Sequence, residues 1–224
     1  MWRVGYGPDP WKWTDWAHAS DGRFGGRWDA IDGSYRTIYA GSTLTGCLME
    51  VLARFRPDAA LVGEMTEIVV EATDRDLYET VPAGVVDRSW FDRRRVGSAM
   101  LAGRYCDVAS SASIAALRPM FLGQAVGEFG LADFDAAALQ DSRPRVLTQR
   151  VARAVYLMDA RSGGPYDGIR FLSRHGNDAE LWAVYERSTD VDRSAQLASV
   201  VVGRLDAGSP EVREALDLFG LVVN

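Results

Sequence analysis

Apolar positions along this chain follow two periods, and the switches between them outline the elements. Trp2 to Tyr6 reads as a short strand, and Thr37 to Ala40 as another, stopped by Gly41-Ser42-Thr43. Leu44, Cys47, Leu48, Val51, Leu52 and Phe55 then recur at helical spacing. They predict a helix N-capped by Ser42 or Thr43 and ended by Pro57. Met65 to Glu71 is β-rich and reads as a strand, with a loop beginning at Asp76 to Tyr78. The stretch from Ser89 to Gln140 is Ala-rich and predicts helix in pieces. From Pro144 a clearer helix carries Leu147, Val151, Ala154, Val155 and Met158 on one face, with Arg150 and Arg153 off it. Gly163-Gly164-Pro165 breaks the chain. Gly168 to Ser173 and Glu180 to Glu186 read as strands joined by the polar turn His175-Gly176-Asn177-Asp178, and Ser209-Pro210 opens a last helix. Short strands interrupted by single helices predict an α+β domain and not a regular βαβ series.

Composition narrows the function classes. With 224 residues, the chain is long enough for one domain, or one domain with an extension. A net charge of −6 argues against a nucleic-acid footprint, though not against a small basic pocket. Lys12 is the only lysine, so the basic groups are nearly all guanidinium. Cys47 and Cys106 make no disulfide framework, and with only His18 and His175 beside them no metal site is expected. The first residues lack the apolar stretch of a secretory signal, and no run approaches the ~20 apolar residues of a membrane span, so a cytoplasmic protein is expected.

Four residues stand out chemically. Arg27 follows Gly25-Gly26, where the backbone can pass close to a ligand, and its fork suits a phosphate. Tyr39 ends a strand. Glu50 is the only acid on its helix and lies about 130° from the centre of the apolar face, so it meets solvent or a cleft. Ser173 ends a strand far downstream. Singly, each has an ordinary reading: a loop arginine, a packed tyrosine, a solvated glutamate, a turn serine. Gly25-Gly26 links no strand to a helix and is no dinucleotide-binding fingerprint. Trp11, Trp13 and Trp16 crowd a polar stretch, either as anchors of a surface loop or as one wall of a ligand cleft. His175 reads as a turn histidine.

Order and spacing change the odds. Gly25-Gly26-Arg27-Trp28, then Thr37-Ile38-Tyr39-Ala40, then Glu50 eleven residues past the tyrosine, resemble the first half of the RES domain, a family named for an arginine, a glutamate and a serine. Trp2-Arg3-Val4 resembles its opening strand, and Leu147 to Ala152 its penultimate helix. Tyr166-Asp167-Gly168-Ile169, Leu172-Ser173-Arg174 and Trp182 to Glu186 resemble its closing strands, with Ser173 on the family serine. The resemblance implies an ADP-ribosyltransferase-like fold: a split, mostly antiparallel β core with flanking helices. Residues 1–190 would be the RES domain, and 191–224 an extension packed on it. It also implies an NAD⁺-consuming toxin that cleaves the nicotinamide–ribose bond as a glycohydrolase or phosphorylase. Glu50, Arg27 and Tyr39 would be catalytic, and Arg3, Arg27, Tyr39 and Ser173 would bind NAD⁺, with no metal. A helix-turn-helix antitoxin is the implied partner, self-association is left open, and neither nucleic acid nor membrane is expected. Two alternatives remain: a mono-ADP-ribosyltransferase with a protein target, and a non-catalytic NAD⁺- or partner-binding module.

Overall fold

A computed structural model describes residues 1–57, 83–141, 143, 145–159 and 163–224. The elements, in chain order, are β1 (Trp2–Tyr6), β2 (Thr37–Gly41), α1 (Leu44–Leu52), β3 (Val85–Val86), α2 (Arg88–Asp92), β4 (Arg94–Leu101), β5 (Tyr105–Asp107), α3 (Ser111–Gly127), α4 (Ala136–Gln140), α5 (Arg145–Leu157), β6 (Gly168–Ser173), β7 (Gly176–Tyr185), β8 (Leu197–Arg204), α6 (Pro210–Phe219) and β9 (Val222–Val223). Seven strands form one sheet in the order β5-β6-β7-β2-β1-β4-β8, and β3 and β9 form a second, two-stranded parallel pair. Within the large sheet only β5 and β6 run parallel, so the domain is α+β with a mostly antiparallel core.

The central strands are covered on both faces, which explains their near-continuous apolar character. On β7, Leu181, Ala183 and Tyr185 face a cluster with Leu147, Val151 and Val155 of α5 and Phe121 of α3. Val184 and Trp182 face a second cluster with Trp11, Trp13, Ile38 and Ala40. A third cluster joins α1, α6 and Trp90 under Val4 of β1. No helix among the described residues is long and apolar enough to cross a membrane.

Several sequence expectations hold, and others need correcting. Thr43, not Ser42, caps α1, its hydroxyl accepting from the Gly46 N–H at 3.1 Å, and a 3-10 turn over Ala53–Phe55 extends the helix towards Pro57. Ser209 caps α6 with Pro210 in its first turn, and Gly220 ends it in the left-handed conformation at φ 63°. The expectation of helix in pieces across 89–140 holds for α2, α3 and α4 but misses β4 and β5. The reason is local. Gly97 in the middle of β4 has no side chain because Trp11 lies where a Cβ would go, 2.2 Å from its indole nitrogen, so the strand lacks a clean alternation. The hairpin between β6 and β7 is tighter than the predicted turn: Ser173 pairs with Gly176, leaving Arg174 and His175 as the two loop residues. The strand expected at Met65 to Glu71, the loop after it and Pro144 lie outside the described residues.

Candidate active site

The sheet is split where its two halves meet. β1 pairs along its length with β4, and β2 with β7, but β1 and β2 meet only where Trp2 lies opposite Gly41. Arg3 spans the gap. Its Nη1 donates to the Tyr39 carbonyl at 2.7 Å and its Nε to the Pro10 carbonyl at 2.5 Å. A cleft of about 1040 Å³ opens at this split, lined by Arg3, Tyr39, Cys47 and Glu50 and walled by the segment from Pro8 to Thr14. Both readings of the Trp-rich stretch therefore hold in part. Trp11 and Trp13 are buried anchors, and Trp13 also lines the cleft. Burial lowers the Arg3 pKa to about 10, so the guanidinium stays charged at neutral pH. Burial also pushes the Cys47 thiol up to about 12, and its Sγ–H donates to the Trp2 carbonyl at 3.0 Å. Cys47 is a packed thiol and no nucleophile.

The loop carrying Arg27 is fixed from below. The Asp29 carboxylate accepts the Gly26 N–H at 2.5 Å and the Tyr39 hydroxyl at 2.8 Å, and the Tyr39 oxygen in turn accepts the Trp28 N–H at 2.9 Å. Burial, then the neighbouring Asp29 charge, holds the Tyr39 phenol well above its ordinary range, and burial raises the Asp29 pKa as well. The phenol is thus neutral and its oxygen occupied, so Tyr39 presents its ring. The glycine argument shifts accordingly. A Cβ on Gly26 would come within 2.5 Å of both Asp29 Oδ2 and the Tyr39 hydroxyl, so Gly26 answers to the protein's own close packing, whereas Gly25 faces open space. Gln149 and Arg145 of α5 hold the loop from above, donating to the carbonyls of Gly26 at 3.0 Å and Gly25 at 2.5 Å.

Glu50 is on the exposed flank of α1, as the helical wheel requires, and meets Ser173 across the sheet. The Ser173 hydroxyl, almost wholly buried, donates to Glu50 Oε1 at 2.5 Å and accepts the His175 N–H at 3.0 Å. Arg27 is half-buried, with Nη2 on the Gln140 carbonyl at 3.3 Å and its guanidinium 5.8 Å from the centre of the Phe171 ring. Burial lowers its pKa, the Glu50 charge opposes that, and Arg174 and Arg145 add to it. The Glu50 carboxylate thus stands close to several cations. Elsewhere, some half-buried arginines pair with acids, Arg36 with Glu186, Arg170 with Asp107 and Glu180 and Arg153 with Asp32, while Arg94 and Arg187 bond carbonyl and hydroxyl oxygens. Arg3, Arg27 and exposed Arg145 likewise bond backbone carbonyls and form no ion pair within 4 Å among the described residues, with Glu50 the acid whose charge acts most on Arg27. Guanidinium groups whose hydrogen bonds go to backbone carbonyls keep their net positive charge, which an anionic ligand can meet.

The sequence model of the RES domain matches residues 1–200. The chain belongs to the RES domain family. That is a family of NAD⁺-related toxin domains. No curated protein and no solved structure matches the chain significantly. In this RES domain the four residues singled out from sequence, together with Arg3, converge in two linked groups. Arg3, Tyr39 and Glu50 line the cleft; Ser173 and Arg27 approach Glu50 from outside that lining. Sequence reasoning missed Asp29, Arg145 and Arg174. Arg174 adjoins Ser173 and was within reach of the motif, but Asp29 and Arg145 gain meaning only through contacts across the fold.

Proposed function

We propose that this RES domain consumes NAD⁺ by breaking the bond between nicotinamide and ribose. The observation that carries this reading is the Glu50 carboxylate, braced by Ser173 at the cleft and set close to the Arg27 guanidinium, which it holds charged against burial. In the reaction, nicotinamide leaves with the bonding electron pair as a neutral base, and positive charge develops on the ribose, as in glycoside cleavage. The Glu50 carboxylate stabilises that charge and can accept the ribose 2′-hydroxyl proton in a hydrogen bond. Water or phosphate then donates an electron pair to C1′ and releases a proton. Arg27, with Arg145 and Arg174, holds the pyrophosphate, and Arg3 supports it from the cleft. The Tyr39 ring packs against nicotinamide or its ribose. Ser173, with its hydroxyl committed to Glu50, aims the carboxylate. The split sheet with a cleft at its break supports an ADP-ribosyltransferase-like fold for this chemistry. On this reading the chain is a cytoplasmic toxin held silent by a helix-turn-helix antitoxin.

The test is release of nicotinamide from NAD⁺ by the purified protein, with Glu50→Gln as control. Removing preorganised charge of this kind costs on the order of 10²–10³ in rate. NAD⁺ labelled on the adenylate separates the outcomes: label in free ADP-ribose or its phosphorylated form supports degradation, and label on a protein band supports transfer.

A further inference from the structure

The last helix ends against the site. Phe219, the final residue of α6, has its ring centre 5.4 Å from that of His175, edge to face, and the Arg56 guanidinium 4.8 Å over it. Little in this contact is left to chance. Gly220 closes the helix in the left-handed conformation, buried Leu221 follows, and Val222–Val223 pair with Val85–Val86. Gly84 ties this end to the segment below Glu50, its N–H donating to the Phe55 carbonyl at 3.1 Å and its carbonyl accepting from Val222 at 2.9 Å. Thr45 on α1 donates to Glu214 on α6 at 2.9 Å. The aromatic ring is therefore fixed between the end of the glutamate helix and the β6–β7 turn. α6 with Phe219, and β9 after it, lie beyond residue 200, where the family match stops.

Resting on the NAD⁺-cleaving reading, we propose that Phe219 is a positioning residue of the catalytic site. It acts through the turn. Phe219 seats the His175 ring, the His175 N–H then meets Ser173 Oγ, and Ser173 in turn holds Glu50 Oε1. Arg174 and His175 form the two-residue hairpin turn, and the Phe219 ring packs against its second residue. The same contact shields the imidazole. Burial lowers the His175 pKa, opposed by Glu50 of α1 and assisted by Arg174 of the turn, Arg56 after α1 and Arg27 of the glycine loop. The RES site of this chain is thus completed by its own C-terminal helix.

The test uses the full chain with Phe219→Ala, Phe219→Leu and Phe219→Tyr. Two readouts separate the ideas. With only two histidines in the chain, the imidazole resonances can be assigned and titrated by NMR without any activity. Phe219→Ala and Phe219→Leu are expected to move the His175 titration upward, and Phe219→Tyr to leave it in place. In nicotinamide release, kcat should fall about tenfold in the Ala and Leu variants with KM changed less than twofold, and Phe219→Tyr should restore it, as expected when only the alignment of a catalytic group is lost. An unmoved His175 titration in Ala and Leu variants that remain folded overturns the proposal, as does wild-type kcat in them. If the wild-type chain releases no nicotinamide, the NAD⁺ reading fails, while the titration still decides whether Phe219 holds the turn.

Discussion

At the scale of single residues, the site works through oxygen atoms that are already committed. The Tyr39 hydroxyl and the Ser173 hydroxyl each donate to a carboxylate and accept a backbone N–H, so neither rotates freely. This sharpens what Glu50 does for stability. Glutamine at position 50 keeps an acceptor for Ser173, so Glu50→Gln should shift unfolding free energy by no more than ~0.5 kcal/mol. Glu50→Ala leaves a buried hydroxyl without that acceptor and should cost about 1–2 kcal/mol. Chemical denaturation of both variants checks this; a Gln variant as destabilised as the Ala variant would contradict the geometry. The convergence of Arg27, Tyr39, Glu50 and Ser173 was legible in the sequence through motif order. Asp29 was not. A lone aspartate two residues past an arginine carries no signal until the fold places Gly26 and Tyr39 on its two oxygens.

At the scale of elements, β1, β2, α1, α5, β6 and α6 were legible because each carries both a period and a boundary residue: Thr43 before α1, Ser209-Pro210 before α6 and Gly220 after it. β4 and β8 were hidden for opposite reasons. β4 is interrupted at Gly97 by the Trp11 indole, while β8 is an edge strand largely open to solvent, so its run of valines shows no burial-driven alternation. The Gly97 contact yields a sharp expectation. Trp11 is wholly buried, and an added methyl would lie 2.2 Å from its indole nitrogen and 3.0 Å from Pro10 Cγ. Gly97→Ala should therefore cost about 1–3 kcal/mol. Because Pro10 anchors Arg3 through its carbonyl, the same change should also raise KM for NAD⁺. A thermal melt together with a substrate titration reads both, and wild-type values in each would show that the cleft wall yields easily.

At the scale of the whole molecule, the cleft depends on a loop being clamped to the sheet. Arg36 is one of its clamps, beside Arg193 on Asp9 and the Trp13 N–H on the Asp192 carbonyl. Arg36 pairs with Glu186 just beyond β7, donates to the Thr14 carbonyl at 3.3 Å and lies against the rings of Trp13 and Trp16. Burial tends to raise the Glu186 pKa, but the hydrogen bonds and charge of Arg36 outweigh it and hold the carboxyl below its ordinary value. A depressed acid stabilises the fold fully above its unfolded pKa, and that contribution is lost as pH falls through the folded value. Stability should therefore drop on acidification below the ordinary glutamate range, near 4.5. Glu186→Gln should flatten that part of the profile and cost ~2 kcal/mol at neutral pH. Equilibrium unfolding of both proteins between pH 3 and 7 (a range set by ordinary carboxylate pKa values) checks the sign, and parallel curves would contradict it.

These scales meet in one claim, that the Glu50 carboxylate, braced by Ser173 and set close to Arg27, draws nicotinamide off NAD⁺. Nicotinamide released from NAD⁺ by purified protein and by its Glu50→Gln variant, both shown to be folded, measures it most directly. The account predicts turnover by the wild-type chain and a fall of about 10²–10³ in the variant. Equal release by the two proteins, or none by the wild type at high concentration, would contradict it.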